Sequence, residues 1–252
     1  MDEQPGAGIS VGQIADPRLG KVLLTVVFAV AVSVSWFFWP SPAKIASVAL
    51  LALVGLVGSN FLYDHGVPIA MARRFAPVFG GLAYLAAVSW LDVWPAIAVS
   101  GAMTLLIILF RFGFRQRLRG VRGTHAAQQW AEVMYPLAAT LSLYFGWFIL
   151  EDRWLAFLPI AFMAWGDTAA GMARNTLSRD SSPSVLTMAA MLAVCLTAAA
   201  IFFRPFWIGA VGALSATLAE RYRPGFSRVL GDNPNIVSAS LLAMVALSYA
   251  VA

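Results

Sequence analysis

The chain has 252 residues, of which 60% are hydrophobic and only 12% charged, and its net charge is +5. A water-soluble domain carries roughly 25% charged residues to dress its surface, so a soluble globular enzyme and a basic nucleic-acid-binding module are both excluded, and the bilayer must act as solvent. Cys195 is the single cysteine, which excludes an intrachain disulfide.

Residues 1–20 hold Pro, Gly and acidic residues without periodicity and read as a disordered cytoplasmic tail. Residues 21–252 read as one transmembrane domain, because every later loop is short. A spanning helix needs about 20 apolar residues. Candidate spans fall at 22–39, 45–63, 75–91, 94–110, 131–150, 154–173, 184–203, 206–220 and 235–252. The expected fold is all-α, a polytopic integral membrane helical bundle of about nine transmembrane helices.

Charge placement orients this bundle. With the N-terminus in the cytoplasm, Lys44, Arg153 and Arg204 fall outside, and the other 14 of the 17 basic residues fall inside. Basic residues concentrate on the cytoplasmic side of membrane proteins. The expected localisation is therefore a multi-pass membrane protein with its N-terminus in the cytoplasm.

The acidic residues then acquire depths. The span at 154–173 enters from outside, and at about 1.5 Å per residue Asp167 lies about 20 Å into a core about 30 Å thick. In the span at 206–220, Glu220 comes at about 21 Å by the same rise. Asp232 follows in the next loop, on the same side. An ionisable group at that depth costs several kcal/mol unless it is paired, hydrated or bound to a cation. Two readings stand: pairing with Arg174 or Arg221, or a magnesium site, since Mg²⁺ takes carboxylates together with phosphate oxygens. Gly209, Gly212, Ala213 and Ala216 share a helical face with Glu220, and small residues let helices pack closely in lipid. That face should turn inward and carry Glu220 with it.

The stretch 111–130 is the most basic in the chain and includes Arg122. It suits either anionic headgroups or nucleotide phosphates, which Arg geometry fits well. No GxxxxGK[ST], HExxH, CxxC or GxSxG pattern occurs, which disfavours a P-loop ATPase, a zinc protease and a serine hydrolase.

Three stretches taken together resemble the CTP-dependent lipid kinases of the phytol kinase and dolichol kinase superfamily, to which membrane CDP-lipid cytidylyltransferases are related. Gly166-Asp167-Thr168-Ala169-Ala170-Gly171, followed by Ala173-Arg174, is similar to that family's GD[TG]xA motif. Glu220, followed by Asp232-Asn233-Pro234, is similar to its E…DN motif. Arg73-Arg74 with Gly80-Gly81 is similar to its RKxxH…G opening, with Pro77 where a His is usual. Glu132-Val133-Met134-Tyr135-Pro136-Leu137 is similar to its ELxYxPL segment. The family's K[ST]xEG[ST] stretch is replaced by Arg179-Asp180-Ser181-Ser182-Pro183-Ser184. The resemblance spans 70–245.

What the resemblance implies is a membrane-embedded kinase that transfers the γ-phosphate of CTP to a long-chain isoprenoid alcohol. It implies Asp167, Glu220 and Asp232 as catalytic and magnesium-holding acids. It implies Gly166, Thr168, Arg174, Arg179, Asn233 and Arg122 as nucleotide contacts. The expected partners are Mg²⁺, CTP and a membrane lipid, and not nucleic acid. A cytidylyltransferase forming a CDP-activated lipid stands as one alternative. A non-catalytic transporter or degenerate family member stands as another.

Overall fold

A computed structural model of the protein describes residues 42–113, 130–177, 185–222 and 233–251. The tail expected at 1–20, the span expected at 22–39, and Arg122, Arg179 and Asp232 lie outside the described residues.

The elements in order are α1 (Pro42–Asp64), the short α2 (Ile69–Ala72), α3 (Phe75–Trp90), α4 (Val93–Gly113) and α5 (Ala131–Ser142). Then come α6 (Arg153–Ala161), α7 (Asp167–Leu177), α8 (Val185–Phe202), α9 (Phe206–Arg221) and α10 (Asn233–Val251). No strand occurs among the described residues. Two π-helical segments widen these rods, Leu143–Ile149 after α5 and Phe162–Gly166 between α6 and α7. Each follows a helix with an internal proline, Pro136 and Pro159. A proline removes one i→i−4 bond and bends the helix.

The later eight expected spans all appear as helical rods. Four of them are long and apolar enough to cross a membrane: Pro42–Asp64, Arg153–Asn175, Val185–Phe202 and Asn233–Val251. The protein thus reads as a membrane protein. At 16 residues each, α3 and α9 reach about 24 Å. Each has charged groups at one end, Arg74 before α3 and Glu220 in the last turn of α9, and the apolar run stops there.

Burial is arranged around one rod. Arg153–Asn175 is buried over most of its length, whereas the other three long helices expose most of theirs. Phe157, Leu158, Ile160, Phe162 and Met163 are fully enclosed. Packed around this rod are α3, α5, α8, α9 and α10, and α1 packs outside α3. The outer faces carry Leu50, Leu53, Val57 and Phe61 on α1, Ile201 on α8, and Leu242 and Tyr249 on α10. A contiguous apolar exterior of this kind is matched to lipid.

Polar groups inside the rods are satisfied locally, as a solvent without hydrogen bonds demands. Thr104, Thr140, Thr168, Thr217 and Ser240 each donate to the carbonyl four residues back. Ser59 of α1 accepts the Ala76 N–H at 3.0 Å, capping one of the orphan donors in the first turn of α3. Gly66, at φ 85°, closes α1 in a left-handed turn.

The two ends of the bundle differ in chemistry. At one end, the turns 91–92, 150–152 and 203–205 are surrounded by aromatic residues. There Trp94 lies against Phe148 with ring centres 4.5 Å apart, and Trp154 stacks on Phe202 at 5.8 Å. Tryptophans gather at membrane–water boundaries. At the other end, the N-termini of α3, α5 and α10 meet the C-terminal portions of α7 and α9, and the charged side chains converge.

Candidate functional site

Asp167 opens α7 directly after the π-helical segment Phe162–Gly166. Single π turns inside helices recur at functional sites because they re-aim the side chains that follow. Arg74 reaches Asp167 from the N-cap of α3. Its Nη1 donates to Asp167 Oδ2 at 2.7 Å and to the Asp167 carbonyl at 3.3 Å. The pair is mostly enclosed, with 12% of the Arg74 side chain and 19% of the Asp167 side chain exposed. Gly171, one turn further along α7, makes the approach possible: a Cβ there would fall on the Arg74 guanidinium. Arg74 Nε is buried without a hydrogen-bond partner among the described residues.

A second pair lies beside the first. Arg174 Nη2 donates to Glu220 Oε1 at 2.9 Å. Glu220 is buried at the end of α9, and Gly209, Gly212, Ala213 and Ala216 are buried on the same face. The inward turn expected from their spacing is the one observed. Of the two partners expected for a carboxylate here, Arg174 takes Glu220, while Arg221 turns toward the Met188 sulfur.

Arg74, Asp167 and Arg174 of these pairs stand at the mouth of a cavity of about 190 Å³, with Glu220 buried behind Arg174. Arg73, Arg74, Glu132, Asp167, Arg174 and Asn233 line its polar end. Asn233 is held by donating to the Ala131 carbonyl at 3.2 Å, which ties the start of α10 to the start of α5. From the mouth the cavity runs between α1, α3, α4 and α5 along apolar walls such as Val48, Ala83, Val99 and Ile107.

The structure therefore brings Asp167, Arg174 and Asn233 of the expected site to one cavity, with Glu220 held against Arg174. Two expected nucleotide contacts face elsewhere. The Thr168 hydroxyl bonds the Ala164 carbonyl at 2.6 Å. At Gly166 a Cβ would come 2.5 Å from Cys195 Sγ, so this glycine serves the packing of the central rod on α8. Arg73, Arg74 and Glu132 were named in the sequence only as parts of motifs, and they turn out to line the mouth. The signal for them was an Arg pair and a Glu at helix starts on the same side as Asp167.

Among the described residues no group of three or more His, Cys, Asp or Glu side chains is placed to hold a metal. Mg²⁺ is usually held by one or two carboxylates plus substrate phosphates rather than by a protein cage. Asp167 and Glu132 both line the cavity and supply that number. Asp167 and Glu132 are the carboxylates that would hold a cation arriving with a nucleotide, and Arg74 and Arg174, paired here with Asp167 and Glu220, would have to exchange those partners to meet phosphate oxygens.

No protein-family model, curated protein or solved structure matches the chain.

Proposed function

We propose that the protein is a multi-pass membrane phosphotransferase of about nine spans that phosphorylates a long-chain lipid alcohol from CTP, with its site at the cytoplasmic face. The observation that carries this reading is the Arg74–Asp167 pair at the mouth of a cavity whose remainder is mostly apolar, broken by the hydroxyls of Tyr84 and Ser100. A cavity with one charged end and one greasy end fits an amphipathic reactant. Arginines and carboxylates at that end are the groups phosphoryl transfer uses, since the protein's part there is positioning and charge neutralisation.

In this reading Arg74 and Arg174 hold phosphate oxygens and offset the charge that spreads over the transferred group. When bound with the nucleotide, Mg²⁺ supplies further neutralisation, held by Asp167 with Glu132. Asp232 and Arg179 belong to the same proposal from sequence alone. The lipid hydroxyl oxygen forms the new bond to the γ-phosphorus. The bond from that phosphorus to the bridging oxygen breaks, and CDP leaves with its electrons. The hydroxyl proton passes to a carboxylate at the mouth. The cytoplasmic assignment is supported by the basic asymmetry of the sequence.

One observation favours a non-catalytic reading. Asp167 and Glu220 are each already neutralised by an arginine, and a neutral site can hold a lipid headgroup without reacting it. A single assay separates the readings: purified protein, Mg²⁺, labelled CTP or ATP, and a panel of lipid alcohols and phosphatidic acid. Labelled lipid phosphate with release of CDP supports the kinase. Pyrophosphate release with CMP kept on the lipid identifies a cytidylyltransferase. No turnover with any pair favours the non-catalytic protein.

A further inference from the structure

The motifs that suggest chemistry lie mostly in α7, α9 and the start of α10, yet most of the cavity lies elsewhere, between α1, α3, α4 and α5. Its floor is one face of α3, where Gly80, Ala83 and Ala87 follow one another at helical spacing. Its walls are α1 and α4, and α4 touches α1 and α3 at few positions. The arm therefore lies beside a weakly closed seam in the bundle. Partway down, the Tyr84 hydroxyl meets Ser100 Oγ at 2.8 Å, and Ser100 Oγ meets Thr140 Oγ1 at 2.7 Å. This hydroxyl cluster ties α3, α4 and α5 together. Ten residues of α3 separate Arg74 from Tyr84, about 15 Å along the helix.

We infer that this arm is the slot for the lipid's apolar chain. The lipid's oxygen-bearing end rests against Arg74, and the chain runs down the small-residue face of α3 and leaves toward the bilayer between α1 and α4. Net charge does not fix the occupant's polarity, since the guanidiniums of Arg73, Arg74 and Arg174 are matched in number by the carboxylates of Glu132, Asp167 and Glu220. One observation does. Arg74 Nε is a buried donor without an acceptor among the described residues, and buried donors are almost always satisfied.

Size points to one chain. A water's share of liquid volume is about 30 Å³, so the cavity of about 190 Å³ holds roughly six water-sized groups, room for the head-proximal part of one chain. A methylene takes about the room of a water, so the slot accepts a single chain and the side chains on α3 set its width. Ala83, on the floor, and Val99, on the α4 wall, are then specificity-determining residues. This assignment rests on the proposed function only in placing the lipid's oxygen end at Arg74.

The test needs neither nucleotide nor turnover, so its failure is distinct from failure of the kinase reading. Purified full-length protein is mixed with radiolabelled geranylgeranyl monophosphate carrying a diazirine near mid-chain, with dioleoyl phosphatidic acid as competitor. Saturable binding is expected, with the diacyl competitor weaker by about tenfold or more. Ala83→Leu and Val99→Phe should each weaken binding by about tenfold, while Val211→Phe on the outer face of α9 leaves it unchanged. Irradiation of the wild-type protein should label Val48, Ala52, Val99 or Met103, a readout that does not depend on any variant folding. Labelling confined to outer residues such as Leu50 and Leu105, or equal affinity for both lipids, or full binding by both slot variants, overturns the proposal.

Discussion

Arg74 at the start of α3 and Asp167 at the start of α7 are 93 residues apart in sequence and 2.7 Å apart in space. Their contact joins the first half of the bundle to its central rod at the depth where the apolar run of α3 ends. Each charge is mostly enclosed, so each depends on the other for neutralisation.

Removing either partner should therefore cost more than removing both. Asp167→Asn and Arg74→Gln should each lower stability in detergent by about 1.5–3 kcal/mol, the worth of a hydrogen bond to a charged group. The double variant should cost clearly less than their sum, because no buried charge is left alone. All three should lose lipid phosphorylation. Thermal melts and activity assays on the four proteins complete the cycle, and additive losses in stability would show that the pair is not coupled.

Gly171→Ala probes the same pair without touching either charge. The new Cβ falls on the Arg74 guanidinium, which must swing away from Asp167. Alanine also improves a helix interior by about 1 kcal/mol over glycine, and this offsets part of the lost pairing. The expected outcome is a melting temperature close to wild type with activity reduced about tenfold or more. Full activity would show that Arg74 need not sit on Asp167.

The helices and their inward faces were legible in the sequence because apolar length and small-residue spacing are local signals. Glu220 with Gly209, Gly212, Ala213 and Ala216 is the clearest case. The partner of Asp167 was not legible. Arg174 is nearer in sequence, but about two helical turns of separation do not decide which guanidinium reaches which carboxylate. That choice depends on Gly171 leaving room for Arg74 from another helix. The cavity was not legible either. Val48, Val99 and Ile107 line it, Leu50 and Leu105 face outward, and composition does not distinguish an apolar residue beside a void from one beside lipid. The π-helical segment before Asp167 has no sequence signal beyond Pro159 three residues ahead of it.

The difference between the two ends of the bundle predicts their sidedness. Cys195 is buried, so the wild-type protein should be silent to a membrane-impermeant thiol reagent. Asn175→Cys is exposed near the mouth, and Asp92→Cys is exposed at the aromatic end. In sealed cells Asp92→Cys should label from outside and Asn175→Cys only after permeabilisation. The reverse pattern would put the mouth outside and remove the cytoplasmic nucleotide from the proposed function.

The last prediction separates the roles of the two carboxylates. Asp167 lines the cavity, whereas Glu220 is buried behind Arg174 and accepts from it at 2.9 Å. A ligand that binds only the folded state stabilises it by about 2.7 kcal/mol at a hundredfold excess over its dissociation constant. Mg²⁺ with CTP should therefore raise the melting temperature in detergent more than either does alone. In Asp167→Asn that gain should vanish, because the carboxylate that takes the cation is gone. In Glu220→Gln it should shrink but persist, since Arg174 loses its anchor and not its charge, and the KM for CTP should rise about tenfold with kcat nearly unchanged. Asp92→Asn, at the aromatic end, should keep the full gain. If Glu220→Gln behaves like Asp167→Asn in both stability gain and kcat, Glu220 holds the cation itself and the Arg174 pairing gives way when nucleotide binds. If no variant alters the gain, Mg²⁺ and CTP bind away from this cavity and the phosphotransferase reading fails.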